Sequence, residues 1–180
     1  ILAQNSDFPF TVLNIAGIGS YRSVLAGVLR EFGNRLAFSP SEKDLAGFGA
    51  AIERWQPFSD TVPALQLLKA DFQLIALSNI DDELFQFSAR AMADPFTRLI
   101  SAQRVGAYKP DPLMFETLIS EAEGPILHVA QSRYHDVVPA TALGLDTVWI
   151  KRLSRGAAKP VDAVPTWTFD SMETFAAAWQ

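Results

Sequence analysis

Between residues 72 and 150 one alternation repeats, and it restricts the fold more than any other feature of the sequence. Short apolar runs at 72–77, 99–102, 126–130 and 147–150 are separated by stretches with helical spacing at 81–92, 112–122 and 137–143. The runs lack the polar alternation of a half-exposed strand, so they are expected to be buried on both faces. Strands of that kind, joined through helices, form a parallel sheet covered on both sides. The expected class is therefore α/β, with a Rossmann-like, doubly wound parallel sheet. The first third reads differently. Val24, Leu25, Val28, Leu29 and Phe32 recur at helical steps, and Ser39-Pro40-Ser41-Glu42 reads as the cap of a second helix running through Leu45, Phe48 and Ile52. The textures change near Trp55-Gln56-Pro57-Phe58, which divides a small helical cap region, residues 1–57, from an α/β core, residues 58–180. Residues 152–165 read as a loop.

Composition limits the function. With 180 residues, 49% of them hydrophobic, the chain can build a real core. Fifteen Lys and Arg against 20 Asp and Glu give a net charge of -5, with no basic patch suited to nucleic acid. No apolar stretch reaches the roughly 18 residues of a membrane span, and "ILAQNSDFPF" lacks the pattern of a signal peptide. The absence of cysteine excludes disulfides, thiolate metal sites and a Cys nucleophile, and fits a cytoplasmic protein.

In such sheets, function gathers where the strands end at their carboxyl edge. Ser78-Asn79 closes "FQLIAL". Lys109 follows the run at 99–102, just before a helix opened by Pro110 and Pro112. Gln131-Ser132 closes "ILHVA", with His135-Asp136 at the next helix start. Read alone, Ser78-Asn79 and Ser132 are helix caps, and a loop lysine is a solvated charge. Together, three strand ends deliver complementary polar groups.

These residues resemble a family. Ser78-Asn79, Tyr108-Lys109-Pro110-Asp111 and the run from His128 through Gln131-Ser132 to His135-Asp136 are similar to the second, third and fourth motifs of the haloacid dehalogenase superfamily. "PFSDTVPAL", "LSNIDD", "GAYKPDPLMF", "HVAQSRYHD" and "GLDTVWI" resemble its type II 2-haloacid dehalogenase branch. The resemblance implies a Rossmann-like core with a helical cap inserted after the first strand. It also implies an aspartate that attacks the halogen-bearing carbon of a short 2-halocarboxylate, forming an ester that water hydrolyses. Lys109 matches the lysine that neutralises the charge gathered there, and Asp136 the acid that fixes it and helps orient water. Ser78 and Asn79 match groups that hold nucleophile or substrate. Gln131, Ser132 and His135 fall at substrate-binding positions. A small-molecule carboxylate substrate, no nucleic acid or membrane partner, and a possible homodimer follow from the same resemblance and composition.

Two departures set further expectations. Phosphatases of the superfamily bind Mg²⁺ with an acid five residues before the position of Asp136. Gln131 stands there, and a neutral amide suits a hard dication poorly, so neither metal nor other cofactor is expected. The first motif is not intact either: "FTVLNIAGI" offers Asn14 and Gly17 at the right spacing but no carboxylate, and Ile18 where Thr belongs. "ILA" at Ile1 resembles words that follow that motif, so the working protein is expected to have residues absent from this sequence, including a central strand. Without that strand, its two neighbours should each keep an unpaired edge. The alternatives are an Mg²⁺-dependent phosphatase of the same fold, or a non-catalytic relative that binds a small anion or a partner.

Of the remaining candidates, His128 lies inside a strand and reads as a core residue. Trp55 and Phe58 read either as simple packing or as walls of the site. Phe115 replaces a tyrosine found near substrate in several dehalogenases, and Tyr108 and Tyr134 offer other hydroxyls.

Overall fold

The helix spacing of the first third is realised in a computed structural model that describes residues 20–152 and 162–179. The partial first-motif match at Asn14 to Ile18, the "ILA" word and most of the loop at 152–165 lie outside the described residues. Helix α1 (Tyr21–Leu36) is capped by Ser20, whose side chain accepts from the Ser23 N–H. Helix α2 (Glu42–Gly49) starts at the expected cap: Ser41 and Asp44 each accept from the other's backbone N–H in a capping box. A 3₁₀ turn (Ala51–Arg54) then leads out of this layer. Tyr21, Leu25 and Ile52 bury their apolar faces with Ile80 and Leu84, so the helical layer sits over the exit of the first strand.

The rest alternates as expected. After α3 (Thr61–Leu68) come β1 (Ile75–Ser78), α4 (Asp82–Ala91), β2 (Arg98–Ser101), α5 (Ala102–Val105), α6 (Pro112–Glu121) and β3 (Leu127–Ala130). A π turn (Arg133–Val137) precedes α7 (Val138–Ala142), followed by β4 (Asp146–Ile150), β5 (Trp167–Phe169) and α8 (Met172–Ala177). Every pairing is parallel, as apolar strands joined through helices require. The strands form two groups, β1-β2 and β3-β4-β5. Register pairs Ser78 with Ser101 in the first and Ala130 with Trp149 in the second.

Among the described residues, nothing pairs with the inner edge of β1 or of β3. Both edges border one cavity of about 760 Å³, lined by residues 73–80 on one side and 124–132 on the other. Burial follows from this. In β4, which has neighbours on both sides, Thr147, Val148 and Ile150 are fully buried. Ile75, Leu77, Leu127 and Val129 are only partly so, because one flank of each strand meets the cavity.

Behind the sheet, Ala64, Leu65 and Leu68 of α3 pack with Met172, Phe175 and Ala176 of α8 over Val148 and Ile150. A polar clamp locks the same corner. Arg152 Nη2 donates to both carboxylate oxygens of Asp60 at 2.7 and 2.9 Å, while Met172 N–H donates to Asp60 at 2.9 Å. The Arg152 guanidinium also lies 4.1 Å from the centre of the Phe58 ring. Although burial opposes the charge of Asp60, Arg152 and the Met172 N–H hold its carboxyl below the ordinary aspartate value. Asp60→Ala is expected to lower stability by about 2 kcal/mol, because it strips a guanidinium of its acid and the start of α8 of its acceptor. Urea denaturation of the variant beside wild type measures it; an unchanged midpoint would show the clamp to be energetically idle.

Candidate active site

Each polar residue of the site stands where the chain leaves a strand. Ser78 ends β1, with Asn79 in the loop beyond it. The Lys109 segment is set by what precedes it: Gly106 ends α5 with φ 77°, a left-handed conformation that suits glycine, and its N–H returns to the Ala102 carbonyl at 2.9 Å. The chain then passes through Tyr108 and Lys109 to a cis Lys109-Pro110 peptide, and Asp111 caps α6 by accepting from Leu113 N–H at 2.9 Å. Asp111 thus belongs to the helix. Beyond β3, Ser132 caps the π turn by accepting from His135 N–H at 3.1 Å, which brings Asp136 back beneath the strand end.

Ser78, Asn79, Lys109, Gln131, Ser132, His135 and Asp136, drawn from three separate strand exits, all line the one cavity. Lys109 Nζ donates to Asp136 Oδ1 at 2.6 Å and to the Leu77 carbonyl at 2.8 Å. Both side chains are largely buried, 12% and 8% exposed, so solvent screens their attraction weakly. Burial alone pushes the Asp136 carboxyl upward. Lys109 and the hydrogen bond from His128 outweigh it and hold the group far below the ordinary aspartate value. Lys109 is an ammonium with three N–H groups. Two are spent on Leu77 and Asp136, which leaves the third for whatever occupies the cavity.

Other side chains have more local tasks. The Asn79 amide holds the Lys109 backbone from both sides, accepting from its N–H at 2.7 Å and donating to its carbonyl at 3.0 Å. In this arrangement Asn79 fixes the lysine, where the family resemblance implied contact with nucleophile or substrate. Gln131 contributes its carbonyl to Trp149 Nε1 at 2.9 Å and presents a neutral amide to the cavity. Ser132 Oγ lies 3.0 Å from His135 Nδ1, and the His135 ring meets Tyr134 edge to face. Ser78 borders the cavity at the end of β1.

Several aromatic candidates fall elsewhere. Trp55 lines the cavity, whereas Phe58 lies against Arg152, and neither Tyr108 nor Tyr134 is part of the lining. Phe115 is fully buried, packed edge to face on His128 at 5.3 Å between ring centres. His128 is the residue the sequence underrated. Buried as expected, it also places Nε2 3.1 Å from Asp136 Oδ1, the oxygen that receives Lys109. Its phase in β3, two residues before buried Ala130, was the available signal.

The fold is that of the haloacid dehalogenase superfamily, and with it a hydrolase fold. Within that class, the chain is similar to the L-2-haloacid dehalogenase PA0810, at 25% identity and a TM-score of 0.76, covering 91% of this chain and 73% of that one. It superposes with a TM-score of 0.77 on the L-2-haloacid dehalogenase from Xanthobacter autotrophicus, whose structure holds chloropropionic acid covalently bound; identity is 21%, with 89% of this chain and 76% of that one covered. In sequence it is 24% identical over 152 residues to the pyrimidine 5'-nucleotidase YjjG of Escherichia coli K12, covering 81% of this chain and 67% of the relative. No protein-family model matches the chain.

Proposed function

We propose that the protein hydrolyses small anionic substrates through a carboxylate ester, and that its substrates are short 2-halocarboxylates. The observation that carries this reading is the Lys109–Asp136 pair at the carboxyl end of the cavity, with a neutral amide, Gln131, beside it. A carboxylate nucleophile attacks C2 of the substrate, the C–halogen bond breaks, and halide leaves with the bonding electrons. Water then adds to the ester, which gives a 2-hydroxy acid, regenerates the carboxylate and releases one proton. Nucleophile and substrate are both anions, and the uncommitted N–H of Lys109 meets the charge they bring together. Among the described residues the one carboxylate at this end of the cavity is Asp136, which is committed to Lys109 and His128, so the nucleophile belongs to residues outside them. The slot between the free edges of β1 and β3 is where an added strand would deliver it.

The donor set does not suit Mg²⁺. That ion takes oxygen ligands in near-octahedral geometry, several of them carboxylates or waters. Asp136 is committed to Lys109 and His128, Gln131 is uncharged, and the described residues contain no group of three potential ligands around one point. A second reading, phosphate-ester hydrolysis, draws on the similarity to the E. coli nucleotidase. One experiment separates them: halide release from 2-chloropropionate and phosphate release from pyrimidine nucleoside monophosphates, each with EDTA and with added Mg²⁺. Halide release unchanged by EDTA is expected. Mg²⁺-dependent phosphate release without halide release would replace this reading with the second, and inertness toward both would leave an anion-binding protein.

A further inference from the structure

We infer that His128 is a positioning residue for the site, holding Asp136 so that Lys109 points its uncommitted N–H into the cavity. The inference rests on the hydrolase reading for its kinetic consequence but not for its geometry. Asp136 Oδ1 takes two donors, Lys109 Nζ at 2.6 Å and His128 Nε2 at 3.1 Å, from two different elements. Because Asp136 is held as an anion, Nε2 must carry the proton in this contact. The imidazole is fixed in turn: it sits on a strand, 8% exposed, with Phe115 packed edge to face on it. The result is a chain of contacts from Phe115 through His128 and Asp136 to Lys109.

A carboxylate with one cationic partner can swing about its side-chain torsions with the lysine following. Two donors arriving at one oxygen remove that freedom. The glutamine amide is the conservative replacement, because its N–H can occupy the place of Nε2. Phenylalanine keeps a buried ring beside Phe115 and removes the donor.

The test uses His128→Phe and His128→Gln beside wild type. Nitrogen-15 NMR of the wild-type imidazole is expected to find His128 Nε2 protonated. The ammonium resonance of Lys109, protected by its bonds to Asp136 and Leu77, should be visible in wild type and in His128→Gln and broadened away in His128→Phe. For halide release, kcat should fall about tenfold or more in His128→Phe, as expected for a displaced charged group, with KM changed less. His128→Gln should recover most of that loss. A bare Nε2 in wild type overturns the inference whatever the variants do, as does a folded His128→Phe that retains both the lysine resonance and the wild-type kcat. Should wild type release no halide, the functional reading falls while the two resonances still decide the role of His128.

Discussion

Lys109→Ala is expected to lower halide release by about two orders of magnitude or more while the protein stays folded. In the transition state a carboxylate nucleophile, a substrate carboxylate and a departing halide crowd negative charge into a cavity with few other cations. Taking one charge-assisted hydrogen bond away from such a centre costs roughly 2 to 4 kcal/mol, and about 1.4 kcal/mol is a tenfold change in rate. Lys109 supplies one such hydrogen bond directly and, through Leu77 and Asp136, keeps it aimed. Lys69 provides the comparison: it lies exposed at the end of α3 and is not among the residues that line the cavity, and Lys69→Ala should leave the rate within error of wild type. Thermal melts of both variants accompany the kinetics. A folded Lys109→Ala protein with wild-type turnover would make the lysine a bystander and remove the main support for the proposed chemistry.

That lysine also shows how far the sequence could be read. The α/β alternation was legible because strands buried on both faces must be apolar throughout, and all four expected runs became parallel strands with ends displaced by up to three residues. Strand β5 and helix α8 were not legible, because Trp167–Phe169 is a three-residue edge strand, too short to show a period. The placement of the polar residues was legible for a topological reason: in a parallel sheet all the exits lie at one end, so Ser78, Lys109 and Asp136 had to converge. What each side chain does there was less so. Nothing in "LSNIDD" reveals that Asn79 turns its amide to the Lys109 backbone, since that depends on a loop 30 residues away closing against it. The role of His128 was hidden for the same reason. A histidine in an apolar strand looks like core until the π turn brings an acid eight residues on back against it.

Removing Asp136 should cost stability on a scale that exposed ion pairs do not reach. Lys109 is held 12% exposed between Asp136 and the Leu77 carbonyl, so Asp136→Ala leaves a buried ammonium without its counter-ion and the His128 N–H without its acceptor. Breaking one side of a buried pair typically destabilises by about 3 to 5 kcal/mol, most of it the cost of the stranded charge. The double change Asp136→Leu with Lys109→Met removes both charges in similar volumes and should restore more than half of the loss. The acid limb gives an independent check. The folded-state value of Asp136 lies below its ordinary 3.8, so its stabilisation is fully present above that pH and is lost as pH falls through the folded value. Wild type should therefore lose stability below pH 3.8 more steeply than Asp136→Ala. Denaturant midpoints for the three proteins, taken at neutral pH and along the acid limb, measure both effects. If Asp136→Ala matched wild type at neutral pH, the Lys109–Asp136 contact would be solvated, and the low-dielectric crevice required by the proposed catalysis would not exist.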